Sequence, residues 1–490
     1  ATAHAVTRAK EVGVRKVLGS RKKELITQFL SETMLVTLGA VILAIGIAFI
    51  TLPFLNNLLN SHVRMDLDLS MILFLVGVVI AVTLLSGIYP AFVMSGYNPI
   101  TALKTKFSGK ASGGITLRRA LVVVQFAIAQ ILIIGTLVVV SQMDYFKNMS
   151  LGFDKEGIVN FPVRGDSIGH TKLEALKNDI RRIPGVINLS FSTFTLTDNG
   201  HWNSDFKFDN STRKSEFDAD LKWSDADVFK TFNLKLVAGR QYYPSDSTKE
   251  IVVNETFVRK LGIRNPEEII GKKISMWDGQ IVAPIVGVVK DFNGNTVTRP
   301  IDPVLMAPWK DVYENMSVKI ESAKLKQAMP AIQAAWSRSF PDNVYEFQFM
   351  DDKIATFYSQ ETQLSQLYKI FAAIAIFISC LGLYGLISFM AVQKTKEVGI
   401  RKVLGASVSN IVYMFSKEFI VLISIAFVIA APIAWYLMNN WLHNFAFRQN
   451  IGVMIFLLTI VGSIFIAWIS VGYKAIRAAV ENPVKSLRSE

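Results

Sequence analysis

Two stretches of this sequence are almost the same: residues 9–19 read AKEVGVRKVLG and residues 395–405 read TKEVGIRKVLG. They are identical at nine of eleven positions, at an offset of 386 residues. Each stretch is basic, and each is followed by a long apolar run. A match of this density is typical of an internal duplication. We therefore interpret the sequence as two related halves that present similar polar surfaces.

Apolar residues are concentrated in blocks rather than spread along the chain. Of its 490 residues, 51% are hydrophobic, and the mean hydropathy is positive. About 20 helical residues cross a hydrocarbon core of roughly 30 Å. Blocks close to this length occur at residues 34–52, 71–94, 120–140, 370–392, 419–438 and 451–471. The sequence therefore predicts six membrane spans.

Residues 142–365 have a different character, with charges of both signs, many aromatic residues and short alternating segments. Periodicity predicts helices at 172–182, 255–261 and 325–340 and strands at 186–193, 250–254 and 283–289. That alternation favours a mixed α/β domain. Residues 351–369 are predicted to form a helix that continues into the fourth span. The predicted fold class is an α-helical transmembrane protein with six spans plus a mixed α/β extracytoplasmic domain.

The net charge of +13 is explained by where the basic residues lie. Lys and Arg crowd the short segments 8–24, 104–119, 394–402 and 474–488, whereas loops 53–70 and 439–450 hold one Arg each. Basic loops of this length face the cytoplasm. Under six alternating spans all four basic segments fall on that side, and residues 142–365 fall outside. Nucleic-acid binding would need a basic, aromatic-rich soluble face, which the sequence does not offer.

This orientation divides the chain into alternating membrane and aqueous segments. The predicted order is a cytoplasmic amphipathic docking segment (1–33), a transmembrane pair (34–94), a cytoplasmic basic linker (95–119), a transmembrane helix (120–141), an extracytoplasmic core domain (142–365), a transmembrane helix (366–392), a second cytoplasmic docking segment (393–410), a second transmembrane pair (411–474) and a cytoplasmic tail (475–490). The expected location is the membrane of a cell, with multiple spans.

Each repeated stretch has the pattern of a helix that lies along the membrane surface. Val14, Val17 and Leu18 fall on one helical face in the first copy, and Ile400, Val403 and Leu404 do so in the second. Gly19 and Gly405 can end these helices with a sharp turn, and Ser20 can cap the helix that follows. The alternative is that the basic residues only anchor the chain at the lipid headgroups, without a protein partner. Two aligned copies favour docking of a partner.

Motifs for catalysis and cofactor binding are not evident in the sequence. It contains no GxxxxGK[ST] stretch, which a phosphate-binding loop would require. The five His residues are scattered, and the single cysteine, Cys380, lies in an apolar block, where packing is the more probable role. Asp166 and His170 are four residues apart but make a weak case for a metal site. We expect no cofactor, no metal and no enzymatic activity in this chain.

Polar and aromatic residues at unusual positions allow two interpretations each. Lys417 and Glu418 lie near the start of the fifth span, where pairing or snorkelling is favoured over ion binding. Gln125 and Gln130 in the third span are expected to hydrogen-bond across helices. The aromatic residues Trp202, Phe206, Phe208 and Trp223 are either core or an exposed substrate surface, and core packing is favoured.

Several motifs in order carry a family resemblance. EVGVRKVLGS (11–20) is followed by two spans and YPAFVMSGYNPITALK (89–104), and EVGIRKVLGA (397–406) is followed by two spans and ENPVKSLR (481–488). Between them lie VAGRQYYPSD (237–246) and IVGVVKDFNGNT (285–296). On these residues the chain resembles the FtsX/MacB-type permease subunits of ABC transporters. The transmembrane pairs look FtsX-like, and residues 142–365 look like the MacB-like periplasmic core domain.

The resemblance implies a transport role in which ATP hydrolysis by a separate ABC ATPase subunit moves the outer domain. It implies a homodimer or paired permease in the bacterial inner membrane, in contact with lipid, with an extracytoplasmic substrate or adaptor such as a peptide, drug or lipoprotein. It also implies a preceding span and outer domain, so that the chain is an N-terminally truncated member. The residues it implies for ATPase docking are Glu11, Gly13, Arg15, Lys16, Gly19, Glu397, Gly399, Arg401, Lys402 and Gly405.

A different class of function is also compatible with the sequence. The outer domain of a membrane-anchored sensor or scaffold would bind a peptide without ATP coupling. Such a protein does not need two similar cytoplasmic contacts, so the repeat favours the permease. The two copies are not equivalent, because Arg21, Lys22 and Lys23 correspond to Ser407, Val408 and Ser409.

Overall fold

The computed structural model describes residues 15–16, 18–66, 68–96, 112–163, 167–198, 200–295 and 299–480. These residues divide into two compact units. A helical unit contains the described parts of Ala1–Val138, Gln363–Leu437 and Ile451–Glu490. An α/β unit contains those of Val139–Thr362 and Met438–Asn450.

Helices account for most of the described chain outside the α/β unit and recur within it. In chain order they are α1 Lys22–Leu59, α2 Leu69–Gly96, α3 Ser112–Asn148, α4 Ser167–Arg181, α5 Val228–Thr231, α6 Glu255–Lys260, α7 Leu325–Ser339, α8 Met350–Phe357, α9 Ser359–Gln393, α10 Thr395–Val403, α11 Val408–Leu442 and α12 Val453–Val480. Six of them are long and apolar enough to cross a membrane: α1, α2, α3, α9, α11 and α12. The six predicted spans therefore each correspond to an observed helix.

Within the helical unit, apolar side chains pack α3, α9, α10, α11 and α12 against one another. This membrane cluster includes Val122, Phe126, Leu383, Ile387, Met390, Val398, Phe415, Phe419, Ile423 and Ala467. Polar contacts also cross between these helices, and the predicted hydrogen bond of Gln130 is among them. Gln130 donates from Nε2 to the carbonyl of Ile423 at 3.4 Å, and the Gln125 side chain lies against Gly382, where a Cβ would collide with it.

The α/β unit contains two β-sheets. Its strands are β1 Ile158–Pro162, β2 Val186–Ser192, β3 Asn203–Ser204, β4 Lys207–Phe208, β5 Ala219–Trp223, β6 Leu236–Gly239, β7 Ile251–Asn254, β8 Lys273–Met276, β9 Ile281–Val289, β10 Val304–Ala307, β11 Asn315–Ile320 and β12 Gln348–Phe349. The first sheet has the order β12-β1-β11-β2 and is antiparallel. The second has the order β3-β5-β10-β7-β9-β8-β4, with β6 paired to β9. Parallel pairs in it are β5 with β10 and β7 with β9, so the predicted mixed α/β domain is confirmed.

The larger of two apolar core clusters in the α/β unit lies between its sheets and helices. Strand β5 shows how the sequence builds it, because Leu221 and Trp223 point into this core while Lys222 points to the other face of the strand. Helices α4 and α7 pack against each other, and the α7 residue Trp336 is only 1% exposed. Its ring lies 6.3 Å from that of Phe161 in β1. The core therefore ties the helical layer to the first sheet.

Two local predictions were wrong. Residues 351–369 do not form one helix, because α8 ends at Phe357 and α9 begins at Ser359. Between them the Tyr358 ring is buried and stacks on Phe146 at 5.4 Å, which holds the backbone out of the helical path. Ser20 does not cap α1 either, since the cap position is Arg21, whose N–H donates to the carboxylate of Glu24 at 3.0 Å.

A bidentate ion pair fixes the turn that precedes β7. Arg240 donates to both carboxylate oxygens of Glu250, at 2.5 and 2.9 Å, and the Tyr243 N–H donates to the same group at 3.0 Å. These hydrogen bonds, those from Arg240 first, lower the pKa of Glu250 below its usual 4.5. The Arg240 side chain is 43% exposed, so solvent screens the attraction and limits its contribution to stability.

Replacing Trp336 by alanine should destabilise the α/β unit by about 3–5 kcal/mol, because it leaves a cavity in the core. Thermal unfolding of the full chain, followed by tryptophan fluorescence, measures the change. Val344→Ala is the control. Val344 is 76% exposed, so its loss should change stability by no more than about 0.5 kcal/mol. Equal melting temperatures for both variants would contradict the assignment of Trp336 to the core.

Glu250→Gln should lower stability at neutral pH by about 1 kcal/mol, through loss of charged hydrogen bonds. Because the folded pKa of Glu250 is depressed, its stabilisation is present above pH 4.5 and is lost as the pH falls through the folded pKa. The difference in melting temperature between wild type and variant should therefore shrink on acidification. Glu346→Gln changes an exposed carboxylate in the same unit and should give no such pH-dependent difference.

Candidate functional site

The two repeated stretches end in the same backbone turn. Gly19 has a φ of +98° and Gly405 a φ of +87°, a region that glycine enters without strain. The Gly19 N–H donates to the carbonyl of Lys16 at 3.1 Å, and the Gly405 N–H donates to that of Lys402 at 3.0 Å. The next N–H in each copy reaches back five residues, to Arg15 at 3.0 Å and to Arg401 at 2.9 Å. Both copies therefore end in a Schellman motif, as the glycines predicted.

The first copy is described only in part, since Glu11 and Gly13 lie outside the described residues. Arg15 donates from Nη1 to Gln28 Oε1 of α1 at 2.8 Å. Gln28 in turn donates from Nε2 to Glu32 Oε1 at 3.2 Å. A polar chain therefore joins the end of the first copy to the first turns of α1.

The second copy forms helix α10, which has one buried and one exposed face. Val398 is 6% exposed and belongs to the membrane cluster, and Gly399 is buried beside it. Ile400, Val403 and Leu404, which the sequence placed on an anchoring face, are 53%, 67% and 80% exposed within this chain. The residue that anchors α10 to the other helices is therefore Val398, which the sequence analysis did not single out.

Charged side chains occupy the exposed part of α10. Arg401 donates from Nη2 to Glu397 Oε1 at 2.8 Å, one helical turn away. The two side chains are 54% and 44% exposed, so the pair contributes only about 0.3–0.5 kcal/mol to the helix. Both charges are accessible from solvent, Glu397 in the first turn of α10 and Arg401 in the last, where Lys402 follows directly in the sequence.

Glu418 of α11 is paired, which agrees with the sequence interpretation. Its carboxylate forms ion pairs with Arg119 of α3 and with Lys394, the residue between α9 and α10. Lys417, its neighbour, is exposed. The Glu418 carboxylate of α11 therefore lies next to α3 and to the residue between α9 and α10.

The aromatic residues of the α/β unit serve mainly as core. Of the four that the sequence singled out, Trp223 and Phe206 are each 1% exposed, Phe208 is partly buried against the core, and Trp202 is 38% exposed. Trp309 links Trp202 and Trp223, with ring centroids 6.4 and 5.1 Å away. The favoured interpretation as core is correct for Trp223 and Phe206.

A polar cavity of about 320 Å³ opens in the α/β unit. Asn160, Thr195, Glu314 and the ion pair of Asp198 with Lys353 line it. Within the described ranges, no group of three His, Cys, Asp or Glu side chains is placed to hold a metal ion. Asp166 lies outside those ranges.

Comparison with sequence families accounts for most of the chain. The family described as FtsX-like permease C-terminal matches residues 2–99 and 369–483, so each match contains one copy of the repeat. The family described as MacB-like periplasmic core domain matches residues 122–335. The FtsX-like and MacB-like regions occur along the chain in the order that the motifs indicated.

Individual relatives are more distant. The macrolide export ATP-binding/permease protein MacB of Chromobacterium violaceum is 23% identical over 203 residues, which cover 39% of this chain and 31% of that protein. The protein of the same name from Syntrophobacter fumaroxidans is 37% identical over 99 residues, or 20% of this chain and 13% of its own length. The chain thus aligns with less than a third of the length of either relative.

Two solved structures are similar to part of the chain. The periplasmic region of MacB from Actinobacillus actinomycetemcomitans has 15% identity and a TM-score of 0.30, over 41% of this chain and 93% of its own. The extracellular domain of the noncanonic ABC-type transporter YknZ from Gram-positive bacteria has 13% identity and a TM-score of 0.28, over 39% and 98%. With two FtsX-like regions on either side of a MacB-like core domain, this chain belongs to the FtsX/MacB-type permease family of ABC transporters.

Proposed function

We propose that this chain couples ATP hydrolysis by a separate ATPase subunit to movement of its α/β domain outside the cytoplasm. The carrying observation is that both repeated stretches end in the same Schellman turn and lead into a long apolar helix. This turn fixes the direction in which the chain leaves the helix. A partner that pushes on either stretch would therefore act on a helix end of defined geometry. The role would be export or release of a peptide, drug or lipoprotein-type substrate.

The docking residues proposed for the ATPase are those of the two stretches. In the second, Glu397 and Arg401 are exposed while Val398 and Gly399 are buried, so one side of α10 can contact a partner while the other remains packed. In the first, Arg15 and Lys16 precede the turn at Gly19. Glu11, Gly13, Lys402 and Gly405 complete the proposed set by their position in the repeat.

The proposal includes the arrangement in the membrane. Basic segments on the cytoplasmic side would place the α/β domain outside, in the manner of a periplasmic domain, with the helices in the bacterial inner membrane. A homodimer or permease pair would present its docking segments to a pair of ATPase subunits. Helix α9 supports the mechanical part of the proposal, because it runs unbroken from Ser359 to Gln393 and is followed directly by α10.

Reversing charge in both stretches should detach the ATPase. In the full-length protein, Arg15→Glu with Lys16→Glu, combined with Arg401→Glu and Lys402→Glu, should reduce co-purified ATPase about tenfold or more, since like charges across an interface cost several kcal/mol. Lys230→Glu with Lys326→Glu changes two exposed lysines of the α/β unit and should leave co-purification unchanged. Full retention of ATPase and of its hydrolysis by the reversed protein would refute docking at these residues.

The two docking stretches should differ in their response to salt. Arg21, Lys22 and Lys23 add positive charge near the first stretch, where the second has Ser407, Val408 and Ser409. A protein with its charges reversed only at Arg401 and Lys402 depends on the first stretch for docking. It should therefore release the ATPase at a lower salt concentration than a protein reversed only at Arg15 and Lys16. The Debye length falls from about 10 Å at 0.1 M to about 3 Å at 1 M. Co-purification across that range tests this, with the Arg15 and Lys16 reversal as the matched comparison.

A further inference from the structure

Glu418 is placed where an unpaired charge would be costly. It lies ten residues after the start of α11, inside a helix that is apolar enough to cross a membrane. Its side chain is 19% exposed, and its neighbours Phe415 and Phe419 are buried in the membrane cluster. An ionisable residue in such a place is favoured only if specific partners stabilise it.

The partners of Glu418 come from two other segments, one for each carboxylate oxygen. Arg119 donates from Nη2 to Oε1, and Lys394 Nζ lies 3.8 Å from Oε2. Arg119 is at the start of the apolar part of α3. Lys394 is the residue that separates α9 from α10. The Glu418 carboxylate therefore connects α3 and α11 to Lys394, the residue that precedes the second docking stretch.

The position of Lys394 makes this contact specific to the docking stretch. Its N–H donates to the Met390 carbonyl of α9 at 2.8 Å, and its own carbonyl accepts from the Val398 N–H of α10 at 2.9 Å. Met390 and Val398 both belong to the membrane cluster. A displacement of α10 must therefore move Lys394 relative to Glu418, or carry α11 and α3 with it.

Simple anchoring at the lipid headgroups does not account for this geometry. A residue that only snorkels extends its charged end toward water and needs no protein partner. Glu418 instead is mostly buried and has one cation on each oxygen.

We propose that Glu418 is a positioning residue: it holds the start of the second docking stretch against α3 and α11, and so passes a displacement of α10 to both helices. The functional part of this inference rests on the proposed ATPase docking. Its structural part, the fixed position of α10, does not. The carboxylate and both of its cationic partners are needed for that position.

Spin-label distances test the structural part without any ATPase. In a Cys380→Ser background, labels at Val124→Cys of α3 and Val403→Cys of α10 use positions that are 55% and 67% exposed. In the full chain in lipid nanodiscs, the wild-type distance distribution should be narrow. Glu418→Gln, nearly the same in shape, should broaden it at least twofold, and so should Lys394→Gln. Lys417→Gln removes the adjacent charge and should leave the width unchanged.

Combining two substitutions tests whether Glu418 and Arg119 act through the same contact. Arg119→Gln added to Glu418→Gln should cause no further broadening, because the interaction is already lost, whereas Glu418→Asp should keep most of the wild-type width. If Glu418→Gln does not give a folded protein, Arg119→Gln and Lys394→Gln each remove one partner and decide the question. Unchanged widths in these variants, or equal broadening in Lys417→Gln, would overturn the inference.

Hydrolysis by the assembled complex separates this inference from the docking proposal. With MgATP as the probe, Glu418→Gln should keep its co-purified ATPase, while the permease-dependent change in hydrolysis falls by about fivefold or more, the usual scale of coupling between sites. Normal coupling with broadened distances would refute transmission through Glu418 and leave docking intact. Loss of co-purification when Arg15, Lys16, Arg401 and Lys402 are all reversed, but not in Glu418→Gln, is the expected pattern.

Discussion

The turn that closes each repeated stretch constrains the rest of the helical unit. A helix end leaves carbonyl groups without partners, and in this chain the N–H groups of Gly19 and Gly405 and of the residues after them satisfy those carbonyls. Only a residue with a positive φ can close the helix in this way at so little cost. The direction in which α1 and α11 begin therefore depends on two glycines. The same sequence pattern therefore produces the same helix end in both copies.

Polar contacts between the apolar helices join specific positions on neighbouring helices. Gln125 can lie against α9 only because Gly382 has no side chain at that point. Gln130 reaches a carbonyl of α11, and Glu418 reaches cations on two segments. Dispersion between apolar side chains supplies most of the packing in a membrane. The polar contacts add a preferred register, which a purely apolar interface does not define as sharply.

Sequence patterns were sufficient for the elements that have strong periodicity. The helices at 172–182, 255–261 and 325–340 correspond to α4, α6 and α7, and the strands at 186–193, 250–254 and 283–289 correspond to β2, β7 and β9. Strands β3, β4 and β12 are two residues long, too short to show alternation. Strand β11, NMSVKI, does alternate polar and apolar residues although it is buried at nearly every position, and the sequence analysis missed it.

The candidate site was predictable in its position and less so in its contacts. The repeat located both stretches and their glycine turns. The pairing of Glu418 with Arg119 joins residues 299 positions apart, and no local pattern reports such a contact. Val398 was missed because the apolar stripe of α10 also contains Ile400, Val403 and Leu404, and only tertiary packing decides which of them is buried.

The pairing of β1 affects how the protein is made. Its neighbours are β11 and β12, and the hydrogen bond from Ser317 to Asn160 spans 157 residues. At a synthesis rate of about 5–20 residues per second, β1 waits roughly ten to thirty seconds for its first partner. During that time its edges are open to other chains. Asn160 and Pro162 interrupt the apolar run of this strand, and a polar residue and a proline in such a segment discourage aggregation. The same asparagine that later bonds to Ser317 thus protects the nascent chain while the strand is still alone.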